Sequence, residues 1–152
     1  RHAGPQDGTA VLFDMDHTEA TYACAEALKE RFTRTVIVTP RDAIATDVQM
    51  VTRQGILRRM AEQRIEIITL CVPRWSGACA EGRLELINIY TGDALTIENL
   101  ALLTYATPRA PNVELIVPLK AAGITVTPVG DARAPQEMLF ATASGHAAGE
   151  TL

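Results

Sequence analysis

The chain has 152 residues, of which 47% are hydrophobic and 21% charged, with a formal net charge of -4 at pH 7. A chain of this length can bury roughly two-thirds of the surface that it exposes when unfolded, so a domain with its own core is expected. The negative charge, without a Lys/Arg cluster, argues against nucleic acid or an anionic membrane as a partner. No apolar run reaches the length of a membrane span, and the first residues lack the apolar core of a signal peptide, so we expect a cytoplasmic protein.

Neither the cysteines nor the histidines are spaced as zinc ligands or redox pairs usually are. We therefore expect buried or incidental thiols and no metal site. The residues concerned are Cys24, Cys71, Cys79, His2, His17 and His146.

The first part of the chain predicts a parallel sheet with helical connections. A polar lead-in at residues 1–8 is typical of a linker. Apolar runs predict strands at residues 9–14, 36–38 and 65–70, and helical spacing predicts helices at residues 20–32 and 52–63. Strands that alternate with helices indicate the α/β class and a parallel sheet.

The middle of the chain changes its pattern. Residues 83–90 alternate between apolar and polar, residues 91–94 are typical of a turn, and residues 95–97 would form the returning strand. This pattern predicts an antiparallel β-meander. The apolar run at residues 100–106 predicts another buried strand. A short helix is expected at residues 115–122, ending at Gly123.

The last stretch predicts a corner between a strand and a helix. A β-branched run at residues 125–129 ends in Gly130 and Asp131, and Pro135 stands where a helix could take it as its first residue. Such a corner leaves backbone N–H groups free for a phosphate, while Asp131 could accept a hydrogen bond from a hydroxyl of a nucleotide or flavin chain. Gly-Asp after a strand is also common in ordinary tight turns, so the spacing alone assigns no site.

The turn after the first strand allows a phosphohydrolase interpretation. Asp14, Asp16 and Thr18 form the Asp-x-Asp-x-Thr pattern with which haloacid-dehalogenase enzymes present a nucleophile, an acid/base and a phosphate-orienting hydroxyl around magnesium. His17 stands where that family normally has glycine, and no room is evident for the usual cap domain. The later lysine and the metal-binding acid of that pattern would be Lys120 and Asp131.

The same turn can be compared with a dinucleotide-binding corner. The Rossmann fingerprint needs glycines there so that the backbone can approach a pyrophosphate, and this turn has none. It carries Asp14, Asp16 and Glu19 instead, and each carboxylate near a phosphate would cost on the order of 1 kcal/mol or more. The sequence therefore predicts a Rossmann-like fold whose first turn does not bind a dinucleotide.

Several stretches resemble the C-terminal region of the trimethylamine dehydrogenase class of NADH:flavin oxidoreductases, a branch of the Old Yellow Enzyme family. The turn at residues 107–112 is similar to their Thr-Gly-Arg-x-Pro-Asn turn, with Pro108 in place of the glycine. The similarity extends from about Thr9 to the end, and its most specific part is the ending. The matching stretches are residues 11–28, 35–40, 57–60, 82–90, 129–135 and 145–149.

The resemblance implies an incomplete part of a larger flavoenzyme. Members of the family have a TIM barrel with FMN and often a [4Fe-4S] cluster, followed by domains like the FAD and NAD(P) domains of disulfide reductases. Residues 9–106 would be the NAD(P)-like domain with its parallel sheet and antiparallel meander, and residues 107–152 a returning strand and helix that complete the FAD-like domain. FAD or ADP would then lie at Gly130, Asp131, Pro135, Gln136, Glu137 and Met138.

We therefore expect a subunit or fragment of an oxidoreductase that is not catalytic alone. Its partner would be a larger flavoprotein subunit with the TIM barrel, the FMN, the [4Fe-4S] cluster and the first half of the FAD-like domain. An exposed apolar patch is expected around Leu139, Phe140 and the strand at residues 100–105, where the absent half would pack. The alternatives are the phosphohydrolase with Asp14 and Asp16, and a scaffold domain without any ligand.

Overall fold

The computed structural model describes residues 5–151, which form two compact units. The first unit ends at Thr107 and the second begins at Pro108. The assignment of these two parts of the chain to an NAD(P)-like and an FAD-like domain stays a prediction.

The first unit is organised around a four-stranded parallel sheet of β1 (Gln6–Asp14), β2 (Phe32–Val38), β3 (Glu66–Ile68) and β7 (Leu100–Ala106). The strand order is β3-β2-β1-β7, so β1 lies inside the sheet, parallel to both β2 and β7. Helix α1 (Glu19–Arg31) connects β1 to β2, and helix α2 (Met50–Glu62) connects β2 to β3. The predicted α/β class with a parallel sheet is confirmed.

Both faces of the central strands are buried, which explains their nearly continuous apolar sequence. Because successive side chains of a strand point to opposite faces, Ala10 and Leu12 pack with the two helices, whereas Val11 packs on the other side. Ile37 faces the helices in the same way, between Val36 and Val38 on the opposite face. The unit therefore has three layers: helices, parallel sheet and a second sheet.

The second sheet is the predicted antiparallel meander, which is confirmed. It consists of β4 (Cys71–Arg74), β5 (Leu84–Asn88) and β6 (Ala94–Ile97), with a 3₁₀ helix at Gly77–Glu81 between the first two strands. The single strand predicted at residues 65–70 is wrong in its length. Leu70 has a positive φ of 58°, and the chain leaves the parallel sheet there to begin β4.

Two predictions at the ends of the parallel sheet also need correction. Strand β1 begins at Gln6, so residues 6–8 belong to the sheet and not to a linker, while residues 1–4 of the predicted linker lie outside the described residues. Gly8 is required in this strand, since its φ is 120° and a Cβ atom would lie 2.6 Å from Cβ of Ala101. Strand β7 is an edge strand rather than a buried one, and Tyr105 is 70% exposed.

The second unit contains two α-helices and a short 3₁₀ turn but no strand among its described residues. Helix α3 (Ile116–Ala121) agrees with the predicted helix, and the 3₁₀ turn Gly130–Ala132 follows after an irregular segment. The strand predicted at residues 125–129 is not formed, because the described chain offers it no neighbouring strand and Pro128 has no N–H to donate. Helix α4 (Met138–Gly149) begins three residues after Pro135, which is therefore not its first residue.

The second unit has no core of its own. No described residue from Pro108 onward is buried, whereas the first unit has two clusters of fully buried side chains. Leu139 and Phe140 are 67% and 54% exposed, which confirms the predicted exposure of these two side chains. Among the described residues, no helix combines the length and the apolar character that crossing a membrane requires.

Candidate functional site

Asp14 is the centre of a hydrogen-bond network at the end of β1. Its side chain is fully buried, and Oδ1 accepts hydrogen bonds from the backbone N–H groups of Asp16, at 3.1 Å, and His17, at 2.9 Å. Oδ2 accepts from the hydroxyl of Tyr22 on α1 at 2.6 Å. Tyr22 in turn accepts from the backbone N–H of Ala45. One carboxylate thus connects the end of β1, the helix that follows and the loop between β2 and α2.

The environment of Tyr22 disfavours its ionised form. Burial raises the pKa of the Tyr22 hydroxyl, and the hydrogen bond to the Asp14 carboxylate raises that pKa further. Tyr22 therefore stays a neutral donor to Asp14 throughout the physiological pH range.

Asp16 accepts hydrogen bonds from two hydroxyls at the start of α1. Thr18 is the N-cap residue of this helix, and its Oγ1 donates to Oδ2 of Asp16 instead of accepting from a helix N–H group. Thr21, which is buried, donates to the same oxygen at 3.3 Å. A carboxylate here is favoured by the positive end of the helix dipole.

His17 occupies the position where a glycine would be expected. It is fully buried and has a φ of 57°, in the left-handed region that glycine adopts most easily. Its Nε2 lies 3.1 Å from Oγ1 of Thr39 at the end of β2, and its Nδ1 lies 3.6 Å from Oδ2 of Asp14 without a hydrogen-bond partner. Burial lowers the pKa of His17, and the charge of Asp14 opposes this effect only in part.

The loop between β2 and α2 packs against this corner. Ile44 and Ala45 are buried in the cluster beneath the helices. Arg41 donates from Nη1 to Oγ1 of Thr46 at 2.7 Å and to Oδ1 of Asp47 at 2.8 Å. The hydrogen bond from Arg41 lowers the pKa of Asp47. Arg41 is thus held by its own loop.

This geometry is unfavourable for both chemical interpretations of the corner. A nucleophilic Asp14 would need an oxygen exposed to a phosphate, yet both oxygens are buried and accept hydrogen bonds from the chain. A pyrophosphate would meet the Asp16 carboxylate at the start of α1. Within residues 5–151, no three His, Cys, Asp or Glu side chains come together as a metal site would require.

The predicted cofactor corner in the second unit forms around Gly130. This residue has a φ of 54°, so a residue with a side chain would be strained there even though space for a Cβ atom exists. The N–H of Gly130 donates to Oγ of Ser144 on α4 at 2.8 Å, and Ser144 donates to the carbonyl of Ala141 at 2.9 Å. The Gly130 N–H, which the sequence suggested was free for a ligand, is therefore already occupied.

The other predicted cofactor residues follow one another at the surface. Asp131 is exposed, and its carboxylate has no hydrogen-bond partner within residues 5–151. Residues 135–137 lie between the 3₁₀ turn and α4, with Glu137 as the N-cap residue and Met138 as the first helical residue. Glu137 makes no side-chain cap hydrogen bond, so the first N–H groups of α4 remain unpaired in the described chain.

These residues fit part of a nucleotide site. The free Asp131 carboxylate suits a ligand hydroxyl, and the unpaired N–H groups at the start of α4 suit a phosphate, although the Glu137 charge opposes an anion. A cleft of about 450 Å³ in the same unit is lined mainly by apolar side chains and so suits packing better than an anion. Its lining residues are Asn112, Leu115, Ile116, Leu119, Val126, Thr127, Pro128, Val129 and Ala132.

Sequence reasoning missed two residues that shape these corners. Tyr22 carries no motif signal, because only the packing of α1 brings its hydroxyl to Asp14. Ser144 lies fourteen positions beyond Gly130, and nothing in its local sequence points to the turn. Gly8 likewise has no room for a side chain because Ala101, on strand β7 at the other end of the first unit's sequence, lies against it.

No protein-family model and no curated protein matches the sequence. Among solved structures, histamine dehydrogenase from Rhizobium sp. 4-9 aligns with 95% of the chain at a TM-score of 0.75 and 22% identity. The 6-hydroxypseudooxynicotine amine oxidase from Pseudomonas geniculata N1 aligns with 96% of the chain at a TM-score of 0.79 and 20% identity. Thioredoxin reductase from Lactococcus lactis aligns with 97% of the chain at a TM-score of 0.68 and 18% identity.

These similarities establish the fold. The chain has the fold of the FAD/NAD-binding reductases. It spans 23% of the histamine dehydrogenase chain, 22% of the amine oxidase chain and 52% of the thioredoxin reductase chain. The three similar proteins are named as a dehydrogenase, an amine oxidase and a reductase. The predicted Rossmann-like architecture of the disulfide-reductase type is confirmed.

Proposed function

We propose that this chain is a component of a cytoplasmic flavin-dependent oxidoreductase of the trimethylamine dehydrogenase class. In this proposal it contributes part of an FAD- or ADP-binding site but has no catalysis of its own. The observation that carries the proposal is the second unit, in which none of the described residues is buried although the chain aligns with a reductase over nearly its whole length.

A unit without a core needs a partner surface to fold stably. Ordering a residue costs roughly 1–2 kcal/mol of backbone entropy, which burial of apolar surface must offset. Leu115, Val117 and Met138 are all strongly exposed, and the apolar residues of α4 do not gather into one stripe. The partner would cover these side chains.

The irregular segment before Gly130 supports the same conclusion. The N–H groups of Thr125, Val126 and Thr127 donate to no acceptor within residues 5–151. Thr125 and Thr127 are exposed, so water satisfies such donors in the isolated chain, and in this proposal a strand supplied by the partner would replace that water. The partner would be the larger flavoprotein subunit with the first half of the FAD-like domain, the TIM barrel, FMN and a [4Fe-4S] cluster.

The cofactor would lie across the boundary with that partner. Asp131 would accept a hydrogen bond from a hydroxyl of FAD or ADP, and the start of α4, from Pro135 to Met138, would face a phosphate. The glycine-rich loop that usually approaches the pyrophosphate would come from the partner. This chain alone should therefore bind either nucleotide weakly.

Calorimetric titration tests the shared site. The purified chain is titrated with FAD and with ADP, alone and after coexpression with the polypeptide encoded beside or upstream of it. We expect saturable binding only in the coexpressed complex. Tight binding of FAD or ADP to the isolated chain would contradict the proposal.

A matched pair of variants in the assembled protein separates the cofactor role from the scaffold alternative. Asp131→Ala should lower the bound FAD or ADP content, whereas Glu114→Ala removes another exposed carboxylate of the same unit and should leave it unchanged. An unchanged cofactor content in Asp131→Ala would favour a scaffold that has kept the fold and lost the ligand.

A further inference from the structure

The loop between β2 and α2 is held against the end of β1 by two contacts that involve side chains. At the start of the loop, Oγ1 of Thr39 lies 3.1 Å from Nε2 of His17. Further along, the backbone N–H of Ala45 donates to the hydroxyl of Tyr22, which donates to Asp14 at 2.6 Å. All five residues are fully buried, so water does not compete for either contact.

The hydrogen bonds around Thr39 assign the proton of neutral His17 to Nδ1. The Thr39 oxygen accepts from the backbone N–H of Arg41 at 3.2 Å, and within residues 5–151 its hydroxyl proton has only the imidazole Nε2 as an acceptor. On the other side of the ring, Nδ1 lies 3.6 Å from the Asp14 carboxylate, which has no proton to donate. Neutral His17 therefore accepts at Nε2 and carries its proton on the side of Asp14.

A second proton on His17 conflicts with this arrangement. It must go to Nε2, to which the Thr39 hydroxyl donates, so that the hydroxyl loses its acceptor. The imidazolium is also a buried charge, and burial is the largest of the effects that lower the pKa of His17. The closed loop therefore fits the neutral imidazole and not the charged one.

The charged groups that face His17 come from the turn after β1 and from the loop. Asp14, Asp16 and Asp47 favour the imidazolium, whereas Arg41 on the loop opposes it. The pKa of His17 is lowered all the same, because burial outweighs these attractions. Protonation is easiest when the loop has moved away, since water then reaches the imidazole and Arg41 no longer lies beside it.

The closed loop also holds a strained residue. Ala45 is buried with a φ of 55°, in the left-handed region that disfavours any residue with a side chain. Ile44 and Ala45 pack in the cluster beneath the helices, so the closed loop is the main state and the open loop a minor one. An opening of the loop would release the strain at Ala45 and expose His17.

We propose that His17 makes the closure of the β2–α2 loop sensitive to pH. Neutral His17 accepts from Thr39 and holds the loop closed, and protonated His17 releases Thr39 and favours the open loop. Because the pKa of His17 in the closed state lies below 6.5, closure is fully favoured above about pH 6.5 and weakens as the pH falls towards that lower pKa. This device lies in the first unit and does not depend on the proposed flavin or ADP site.

Amide hydrogen exchange of the full chain, followed by NMR from about pH 7.5 to about pH 5.5, tests this proposal. The exchange rate of the Ala45 amide, divided by its intrinsic rate at each pH, gives the fraction of open loop. We expect this fraction to rise about fivefold or more towards the lower pH, since opening takes up a proton. It should not change in about 0.5 M urea, because a local opening exposes little surface, whereas exchange inside β1 should accelerate.

Two variants separate His17 from the other charges of the loop. His17→Asn removes the titrating group and tolerates a positive φ, so its Ala45 opening should no longer rise at lower pH. Asp47→Asn is the matched control. The hydrogen bond from Arg41 lowers the pKa of Asp47, so this carboxylate does not titrate over the range tested, and the variant should keep the wild-type response.

Two kinds of result overturn the proposal. The first is a pH response that survives in His17→Asn or disappears in Asp47→Asn. The second comes from the wild type alone and needs no variant to fold: Ala45 exchange that is independent of pH, or that follows urea as exchange inside β1 does, means that the loop does not open by itself.

Discussion

Asp14 stabilises the first unit because its two oxygens satisfy three donors, two in the turn after β1 and one on α1. Asp14→Asn keeps the size of the side chain but replaces one acceptor oxygen by an NH₂ group, which must face a donor. We expect a loss of about 1–3 kcal/mol in the free energy of unfolding, measured by urea denaturation. Asp42→Asn, at an exposed carboxylate, should change it little, and equal stability of the two variants would contradict the role of Asp14.

The same residue decides the phosphohydrolase alternative. Because Asp14 is buried and hydrogen-bonded by the chain, the wild type should not hydrolyse p-nitrophenyl phosphate in the presence of magnesium. Phosphatase activity that disappears in Asp14→Asn would show that the corner opens to a nucleophilic carboxylate and would restore that interpretation.

His17 should make the stability of the first unit depend on pH. Burial lowers its pKa in the folded state below the ordinary value of 6.5. The unfolded chain therefore binds more protons between those two values, and the free energy of unfolding falls as the pH drops below about 6.5. The stabilisation is fully present above that pH and is lost as the pH falls towards the folded-state pKa.

Denaturant unfolding at several pH values checks this dependence. His17→Asn removes the titrating group and tolerates a positive φ, so its stability should fall less steeply between pH 6.5 and pH 5. A slope that is unchanged in His17→Asn would assign the pH dependence to other groups.

At the scale of elements, a side-chain hydrogen bond joins helix α4 to the Gly130 turn. Ser144 accepts from the Gly130 N–H, and removal of its hydroxyl should leave this N–H open to water. We expect Ser144→Ala to accelerate hydrogen exchange of the Gly130 amide by about fivefold, a loss of roughly 1 kcal/mol of protection. The measurement is amide exchange of the full chain by mass spectrometry or NMR.

Thr142 provides the matched control on the same helix. Its hydroxyl donates to the carbonyls of Met138 and Leu139 within α4 and does not contact the turn. Thr142→Ala should therefore leave exchange at Gly130 unchanged. Equal acceleration in both variants would mean that α4 frays as a whole and that Ser144 has no special role.

The accuracy of the predicted elements follows the range of the interactions that form them. Helices α1 and α2 and the meander were predicted from local periodicity, since their apolar spacing is set within one element. The prediction of a strand at residues 125–129 was wrong, because a strand needs a neighbouring strand and the described chain supplies none there. The break at Leu70 was missed because its positive φ arises where the chain passes from one sheet to the other.

At the scale of the whole molecule, the two units should differ in their ability to fold alone. A fragment of residues 5–107 contains both buried clusters and should unfold cooperatively on heating, as followed by circular dichroism. In a fragment of residues 108–152, none of the described residues 108–151 is buried, and the fragment should show no cooperative transition. Cooperative unfolding of the second fragment would contradict the need for a partner surface.

The sequence by itself determined the α/β class, the meander and the glycine-poor first turn, because these depend on local periodicity and residue type. Only the tertiary structure decided that Asp14 and Asp16 are engaged by their own chain, that Ser144 occupies the Gly130 N–H, and that none of the described residues of the second unit is buried. The physical reason is distance along the chain. Burial and hydrogen-bond pairing depend on residues brought together by folding, and no local pattern records which donors and acceptors will meet.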